Sequence, residues 1–354
     1  MIYGCCDRPP PGRFSPRPKL RSSAAFAALV LLAGISPASA QQVRVLKIGH
    51  QFPGGTIDEG DFRDRLCRKF AAEVENRSNG TLRCEVFPKN KLVKAEGQIE
   101  ALKSGAMEFC LMPLNNAFDK MPELNVTLLP GVIKSYEQGL RWKTAPIGHD
   151  VTALLEQNGA LVLTWVWQAA GIVAAIRPVL VPDDVRDLRV RGAGKSVDNV
   201  LTVVGGRVVS MASSEIPKAF RDGKLDAAIT SSTSLVAFKL QDFCRAVTTP
   251  RLRALFYFPE PLLMSKLTFD SLTPEQKRIV AEVGASLEKF ALDCARKDDE
   301  TLARTYLAAN AAVADMDDEQ WTMWQRVARA AAWRDYERTV PKGGEWLKKA
   351  LAVP

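Results

Sequence analysis

Ala101-Leu102-Lys103-Ser104-Gly105-Ala106-Met107-Glu108 and Ala219-Phe220-Arg221-Asp222-Gly223-Lys224-Leu225-Asp226 share one pattern: small, apolar, basic, polar, glycine, any residue, apolar, acidic. In each, a glycine suited to a helix C-cap closes a helix and a strand begins. Working outward from the first copy, a helix is expected over about Ala95–Ser104 and an apolar strand over Ala106–Met112. Upstream, Val43–Ile48 reads as a strand. Phe62, Leu66, Phe70 and Val74 mark an amphipathic helix stopped by Asn79-Gly80, and Thr81–Phe87 alternates as a strand. Around the second copy, Leu188–Arg191 reads as a strand, Val197–Val204 as a helix, Ser214 as an N-cap and Leu225–Thr230 as a strand. Ala160–Trp167 is a continuous apolar run, expected to be one strand buried on both faces.

Strands alternating with helices imply an α/β fold with mainly parallel pairing. The repeat implies two lobes on one plan. The corresponding strands end at Pro113-Leu114-Asn115-Asn116 and at Thr230-Ser231-Ser232-Thr233. Ligands in open α/β sheets sit beyond the carboxyl ends of strands. Two such ends facing each other would form a polar cleft between lobes. The carboxyl third is helical. Thr273-Pro274-Glu275-Gln276 is a capping box, and helical periodicity then runs to about Ala309. One unbroken helix of that length would span roughly 54 Å and brace both lobes; the alternative is a break near Asp298-Asp299. Trp321, Trp324, Val327 and Trp333 read as the packing stripe of a last helix.

The chain has 354 residues, 47% hydrophobic and 25% charged, which suits about two globular domains. Its first forty residues carry Arg8, Arg13, Arg17, Lys19 and Arg21 against Asp7, so removing them lowers the net charge from +8 to +4. No basic block remains, and nucleic acid is excluded as a partner. Those residues read as a secretory signal: a basic start, the short apolar run Ala24–Ile35, and Ala38-Ser39-Ala40, with cleavage expected after Ala40. A short membrane anchor is the competing reading of the same run. Five cysteines follow the signal (Cys67, Cys84, Cys110, Cys244 and Cys294), an odd number that leaves at least one free thiol. Buried thiols are expected, with a Cys67–Cys84 bridge as the alternative.

Chemistry-bearing motifs are few. Gly192-Ala193-Gly194-Lys195-Ser196 resembles the end of a phosphate loop, but position 189 is arginine where the motif needs glycine. There is no G-x-S-x-G or H-E-x-x-H, and only two histidines, His50 and His149, occur. No metal or cofactor is expected. Arg191 ends the strand Leu188–Arg191, where its guanidinium can reach over the sheet edge and grip a carboxylate through two parallel hydrogen bonds. The pattern fits a solvated surface arginine equally well. In Trp165-Val166-Trp167-Gln168, one tryptophan is expected in the core, and the other is a candidate to line the cleft with Gln168.

Leu46-Lys47-Ile48-Gly49-His50, Glu85-Val86-Phe87-Pro88, Leu102-Lys103-Ser104-Gly105-Ala106, the stretch Pro182–Arg191 and Gly223-Lys224-Leu225-Asp226-Ala227 together resemble the solute-binding proteins of tripartite ATP-independent periplasmic (TRAP) transporters. The resemblance spans nearly all of the chain after the signal. It implies a two-lobe periplasmic-binding-protein architecture with a long helix spanning both lobes: 41–164 plus about 251–290 in lobe I, and 165–250 plus about 291–354 in lobe II. It also implies a monomer that closes on a small organic acid in the periplasm and delivers it to the TRAP permease subunits, without catalysis. It matches Arg191 to the family's carboxylate-clamping arginine and places the site near Gln51, Asn115, Trp167, Gln168, Ser231 and Ser232. The glycine frequent in the family before the Leu188-type position is Asp187 here. The alternatives are a binding protein of another uptake or sensing system, or a secreted hydrolase or lyase using Glu59 or Asp61.

Overall fold

A computed structural model describes residues 43–354; the expected signal and its cleavage after Ala40 lie outside the described residues. The first sheet begins with β1 (Arg44–His50), β2 (Leu82–Phe87), β3 (Phe109–Leu111) and β4 (Ala160–Thr164). The chain then passes to a second sheet with β5 (Trp167–Ala174), β6 (Arg189–Arg191), β7 (Arg207–Val208), β8 (Ala227–Ser231), β9 (Ala246–Thr249) and β10 (Tyr257–Pro259). It returns for β11 (Leu262–Ser265), and β12 (Ala312–Asp315) closes the second sheet. The orders are β2-β1-β3-β11-β4 and β12-β9-β5-β8-β6-β7, with β10 on β5.

In the first sheet β1 pairs in parallel with β2 and β3, with Leu46 opposite Cys84 and Ile48 opposite Val86. β11 runs antiparallel between β3 and β4. The helix Phe62–Arg77 starts at Asp61, whose carboxylate accepts from the Arg63 N–H, and buries Phe62, Leu66, Phe70 and Val74. Four such side chains at helical spacing each contribute about 1.5–3 kcal/mol on burial. Both repeat glycines are left-handed, Gly105 at φ +73° and Gly223 at φ +63°, a conformation that glycine adopts without a Cβ penalty. In the second sheet β5 is antiparallel to β8 and β9, while β6 lies parallel to β7 and β8.

The expected strand Ala160–Trp167 is two strands. β4 belongs to the first sheet and β5 to the second, and Trp165-Val166 carries the chain across. An apolar run shows burial but not which sheet buries it. The return crossing is at Glu260-Pro261, and the Glu260 N–H donates to the Val166 carbonyl at 2.8 Å, tying the two crossings together. Ser214 is not an N-cap: Ser213–Glu215 is a 3₁₀ turn in which Glu215 accepts from the Ala212 N–H.

The capping box forms as expected, Gln276 N–H to Thr273 Oγ1 and Thr273 N–H to Gln276 Oε1, both 3.2 Å. The long helix breaks at Leu287, not at Asp298-Asp299, giving Pro274–Ser286 and Glu288–Ala308. At the break the Gly284 carbonyl accepts from the Leu287 N–H and from Thr164 Oγ1, the latter at 2.8 Å. A side chain inserted into the helical ladder is a recognised cause of such a kink. Gly284 itself lies against Leu163, whose carbonyl would be 2.8 Å from an added Cβ. The first segment therefore seats on the first sheet through β4, and the second packs on β5, β9 and β12. The helix Gly343–Leu351 packs back on Pro122–Leu128 and Pro146–Gln157.

Cys67, Cys84, Cys110 and Cys244 are buried, Cys294 is half-buried, and all five are unpaired, so the Cys67–Cys84 bridge is not formed. Burial pushes the thiols up, Cys84 and Cys244 to about 12, which leaves them inert as nucleophiles. Among the described residues no helix is long and apolar enough to cross a membrane.

Candidate functional site

A cleft of about 840 Å³ separates the lobes, within the size range of small-molecule sites. Asn115 and Asn116, which follow β3, line one wall; Arg191, Gly192 and Asp198 line the other. The walls touch at the rim. Gln51, at the end of β1 and 2% exposed, donates from Nε2 to Ser213 Oγ at 3.0 Å. Asn90 Nδ2 donates to Ser214 Oγ at 3.5 Å. Gln51 is aimed by its neighbours: His50 bonds the Asp64 carboxylate at 3.0 Å and accepts the Phe52 N–H on its other ring nitrogen, so the backbone on both sides is fixed.

Arg191 is 4% exposed. Its Nη1 donates to the Ile229 carbonyl at 2.7 Å and its Nε to the Met211 carbonyl at 3.2 Å, while Nη2 has no acceptor among the described residues. No described carboxylate comes within 4.0 Å of it. Burial pulls its pKa down to about 10, with the charges of Asp198 and Glu260 opposing that. A buried cation without a counter-ion is costly, and this one fronts a cleft.

The other sequence candidates divide. Asn115 shares the cleft with Arg191, whereas Gln51 is buried off the cleft lining and ties the two sides together through Ser213. Gln168 does not line the cleft; it is buried and accepts from Thr233 Oγ1 at 3.1 Å. Trp167 points elsewhere, since adjacent strand residues face opposite sides. It stacks on Trp165 at 5.7 Å, meets Trp142 edge-on at 6.0 Å and covers Gly139, where an added Cβ would be 2.6 Å from its ring. Both tryptophans of the motif are therefore packed, at 5% and 2% exposure. Ser231 caps the helix Ser232–Ala237 through the Ser234 N–H, and Ser232 is buried beside Asp299.

Sequence reading missed what holds Ser231: Arg63, fully buried on the Phe62–Arg77 helix. Its Nε and Nη2 donate to the two Asp61 carboxylate oxygens (2.9 and 2.7 Å), and its Nη1 donates to Glu260 at 2.9 Å, to Ser231 Oγ at 3.4 Å and to Ser234 Oγ at 3.1 Å. Its guanidinium carbon lies 3.5 Å from the Phe52 ring centre. Burial opposes its charge, yet Asp61 and Glu260 hold its pKa above the ordinary value. Burial raises the Glu260 pKa, with Arg63 opposing. One signal was available: Arg63 stands four residues before Cys67 and three before Leu66, inside the apolar arc of its helix. This latch joins the first lobe, the second lobe and the Glu260 crossing. It also engages Asp61, so that carboxylate is not a free base, and Glu59 is exposed.

Behind the latch, Asp299 accepts from Tyr136 Oη at 2.8 Å, and its Oδ1 is buried without a partner. Burial pushes its pKa up to about 7, with the hydroxyls of Ser232 and Tyr136 opposing. An acid whose folded pKa exceeds its unfolded value of 3.8 stabilises the fold most below that lower value, and its contribution is lost as pH rises towards 7. Asp299→Asn is therefore expected to be more stable than the wild type by several degrees at pH 8, with the difference shrinking towards pH 4.5. Thermal unfolding across that range measures it; a pH-independent difference would show that Asp299 is ionised throughout.

The model of the bacterial extracellular solute-binding protein family 7 matches residues 58–339. A solute-binding protein of Albidiferax ferrireducens is 45% identical over 295 residues, covering 83% of this chain and 87% of that protein. The crystal structure of a TRAP periplasmic solute-binding protein from Rhodoferax ferrireducens with bound malonate superposes with a TM-score of 0.84 at 44% identity, covering 86% of this chain and 96% of that one. The C4-dicarboxylate-binding periplasmic protein of Rhodobacter capsulatus is 23% identical over 82% of this chain and 86% of its own.

Proposed function

The chain belongs to the bacterial extracellular solute-binding proteins of family 7, and from that premise we propose that it captures a carboxylate-bearing organic acid by closing two lobes around it and hands the acid to a TRAP permease. It is a receptor and not an enzyme. The observation that carries the reading is Arg191: a guanidinium buried at the cleft wall, held by two backbone carbonyls and by no described carboxylate. Those carbonyls orient the fork, and Nη2 is left to meet an anion. A carboxylate arriving there replaces lost solvation with charge-assisted hydrogen bonds.

The topology supports closure. The chain crosses between sheets at Trp165-Val166 and Glu260-Pro261, and the long helix kinks at Leu287. Rotation about a few such residues is hinge motion. A ligand that meets Arg191 on one wall and Asn115 or Gln51 on the other favours the closed arrangement by its differential affinity for it. We divide the lobes as 41–164 plus about 251–290 and 165–250 plus about 291–354, moving only the stretch 251–259 to the second lobe because β10 pairs with β5 and the chain crosses back at Glu260-Pro261. The protein works outside the cytoplasm as a monomer, its signal removed after Ala40. The Gln51, Asn115 and Gln168 amides serve the ligand, the Ser231 hydroxyl serves through the Arg63 latch that closes beneath it, and the Ser232 hydroxyl serves from its place beside Asp299.

The test is a thermal-shift screen of the purified mature chain against organic acids and against sugars without a carboxylate. A ligand held at 100-fold its Kd adds about 2.7 kcal/mol of stability, so an upward shift is expected from carboxylates alone. Shifts from neutral sugars with none from any acid would refute the reading.

A further inference from the structure

Beside Arg191 the cleft holds a carboxylate that the capture of an acid leaves unused. Asp198 lies in the first turn of the helix Lys195–Val203, and its Oδ2 accepts from Ser210 Oγ at 3.2 Å. Its Oδ1 is buried and has no hydrogen-bond partner. It sits against Gly192, where an added Cβ would stand 1.9 Å from Oδ1. Only glycine at 192 leaves room for the carboxylate there. Asp198 and Arg191 feel one another's charge, yet none of their nitrogens and oxygens meet within 4.0 Å. The two groups are neighbours on one wall, each with an atom unspent.

The remaining cations of the lining are exposed lysines that have carboxylates beside them. Lys120 is held by Glu100 at 2.6 Å, and Lys195 leans on Asp335 at 3.9 Å. Glu96, Asp119 and Glu215 add negative charge to the same cleft. Among the described residues Arg191 is therefore the one lining cation without a carboxylate within 4.0 Å. A ligand carboxylate is balanced there.

We propose that Asp198 determines specificity: its Oδ1 accepts a hydrogen bond from a hydroxyl or amino group of the ligand while Arg191 grips the carboxylate, so the site selects hydroxy- or amino-substituted acids over their unsubstituted counterparts. This rests on the organic-acid reading above and narrows it. Burial raises the Asp198 pKa from its ordinary value, with Arg191 and Ser210 opposing.

Calorimetric titration with matched pairs tests it: lactate against propionate, tartronate against malonate, and malate against succinate. The wild type is expected to prefer the hydroxylated member by about 10- to 100-fold, the range for a hydrogen bond to a charged group. Asp198→Asn and Asp198→Ala, each checked for wild-type unfolding behaviour, are expected to reduce that preference to within about threefold while binding the unsubstituted acids at least as well. Propionate, malonate and succinate binding the wild type as tightly as their partners, or a preference that survives both substitutions, would overturn the role of Asp198 and leave organic-acid capture standing. A wild type that binds no acid in any pair, nor any in the wider screen, would instead overturn the reading on which this one rests.

Discussion

Arg191→Ala is expected to weaken binding of the cognate acid by about two to three orders of magnitude. Removing one partner of a buried charge pair costs about 3–5 kcal/mol, and each 1.4 kcal/mol is about tenfold in affinity. The fold should survive the change. Arg191 touches only the Met211 and Ile229 carbonyls, so its loss strands no carboxylate within 4.0 Å and removes a desolvated charge. Arg191→Lys should recover part of the affinity, since an ammonium keeps the charge but not the two-pronged geometry. Calorimetry, with circular dichroism to confirm unchanged unfolding, measures both. Unaltered affinity in the alanine variant would remove Arg191 from the site.

Arg63→Ala should do the opposite, destabilising the fold by about 3–5 kcal/mol. Arg63 is the cation between Asp61 and Glu260, both buried. Without it two carboxylates face each other in the interior, Ser231 and Ser234 lose a donor, and Phe52 loses its cationic partner. Adding Glu260→Gln to Arg63→Ala should restore part of the loss, because one stranded charge disappears. Urea denaturation of the two variants decides the matter; a stability loss below about 1 kcal/mol, typical of exposed ion pairs, would show that solvent reaches the latch.

The two predictions separate the roles of two buried arginines, and the sequence announced only one. For Arg191 the strand pattern fits a cleft and a solvated surface position equally well, and only the family resemblance favours the cleft. What the pattern could not give was its burial, which depends on Met211 and Ile229 arriving from elsewhere in the chain. Arg63 was concealed by type: charged residues near a helix start are usually solvated, and its partners Glu260 and Ser234 lie 197 and 171 residues away. Asp198 was hidden likewise, since an acidic residue in a first helical turn is accounted for by the helix dipole.

Local signals were read well where local physics decides. Gly105, Gly223 and the Thr273 capping box are each fixed by a few adjacent residues. Asp187 belongs with them. It stands at φ +61° in the left-handed region, which explains the glycine frequent at that place in the family, and it is among the residue types that tolerate it. Long-range features were misread. Ala160–Trp167 looked like one strand because its burial is continuous, while the sheet changes beneath it. Periodicity to Ala309 reads as one unbroken helix, with a break at Asp298-Asp299 only as the alternative; the kink at Leu287 is set by Thr164, more than a hundred residues earlier, reaching the Gly284 carbonyl.

The most direct measurement is a crystal structure of the wild-type protein with the acid that gives the largest thermal shift. The account predicts a ligand carboxylate within hydrogen-bond distance of the Arg191 guanidinium, enclosed between that wall and the Asn115 side. A ligand seated elsewhere, with Arg191 still bound to the Met211 and Ile229 carbonyls alone, would contradict it.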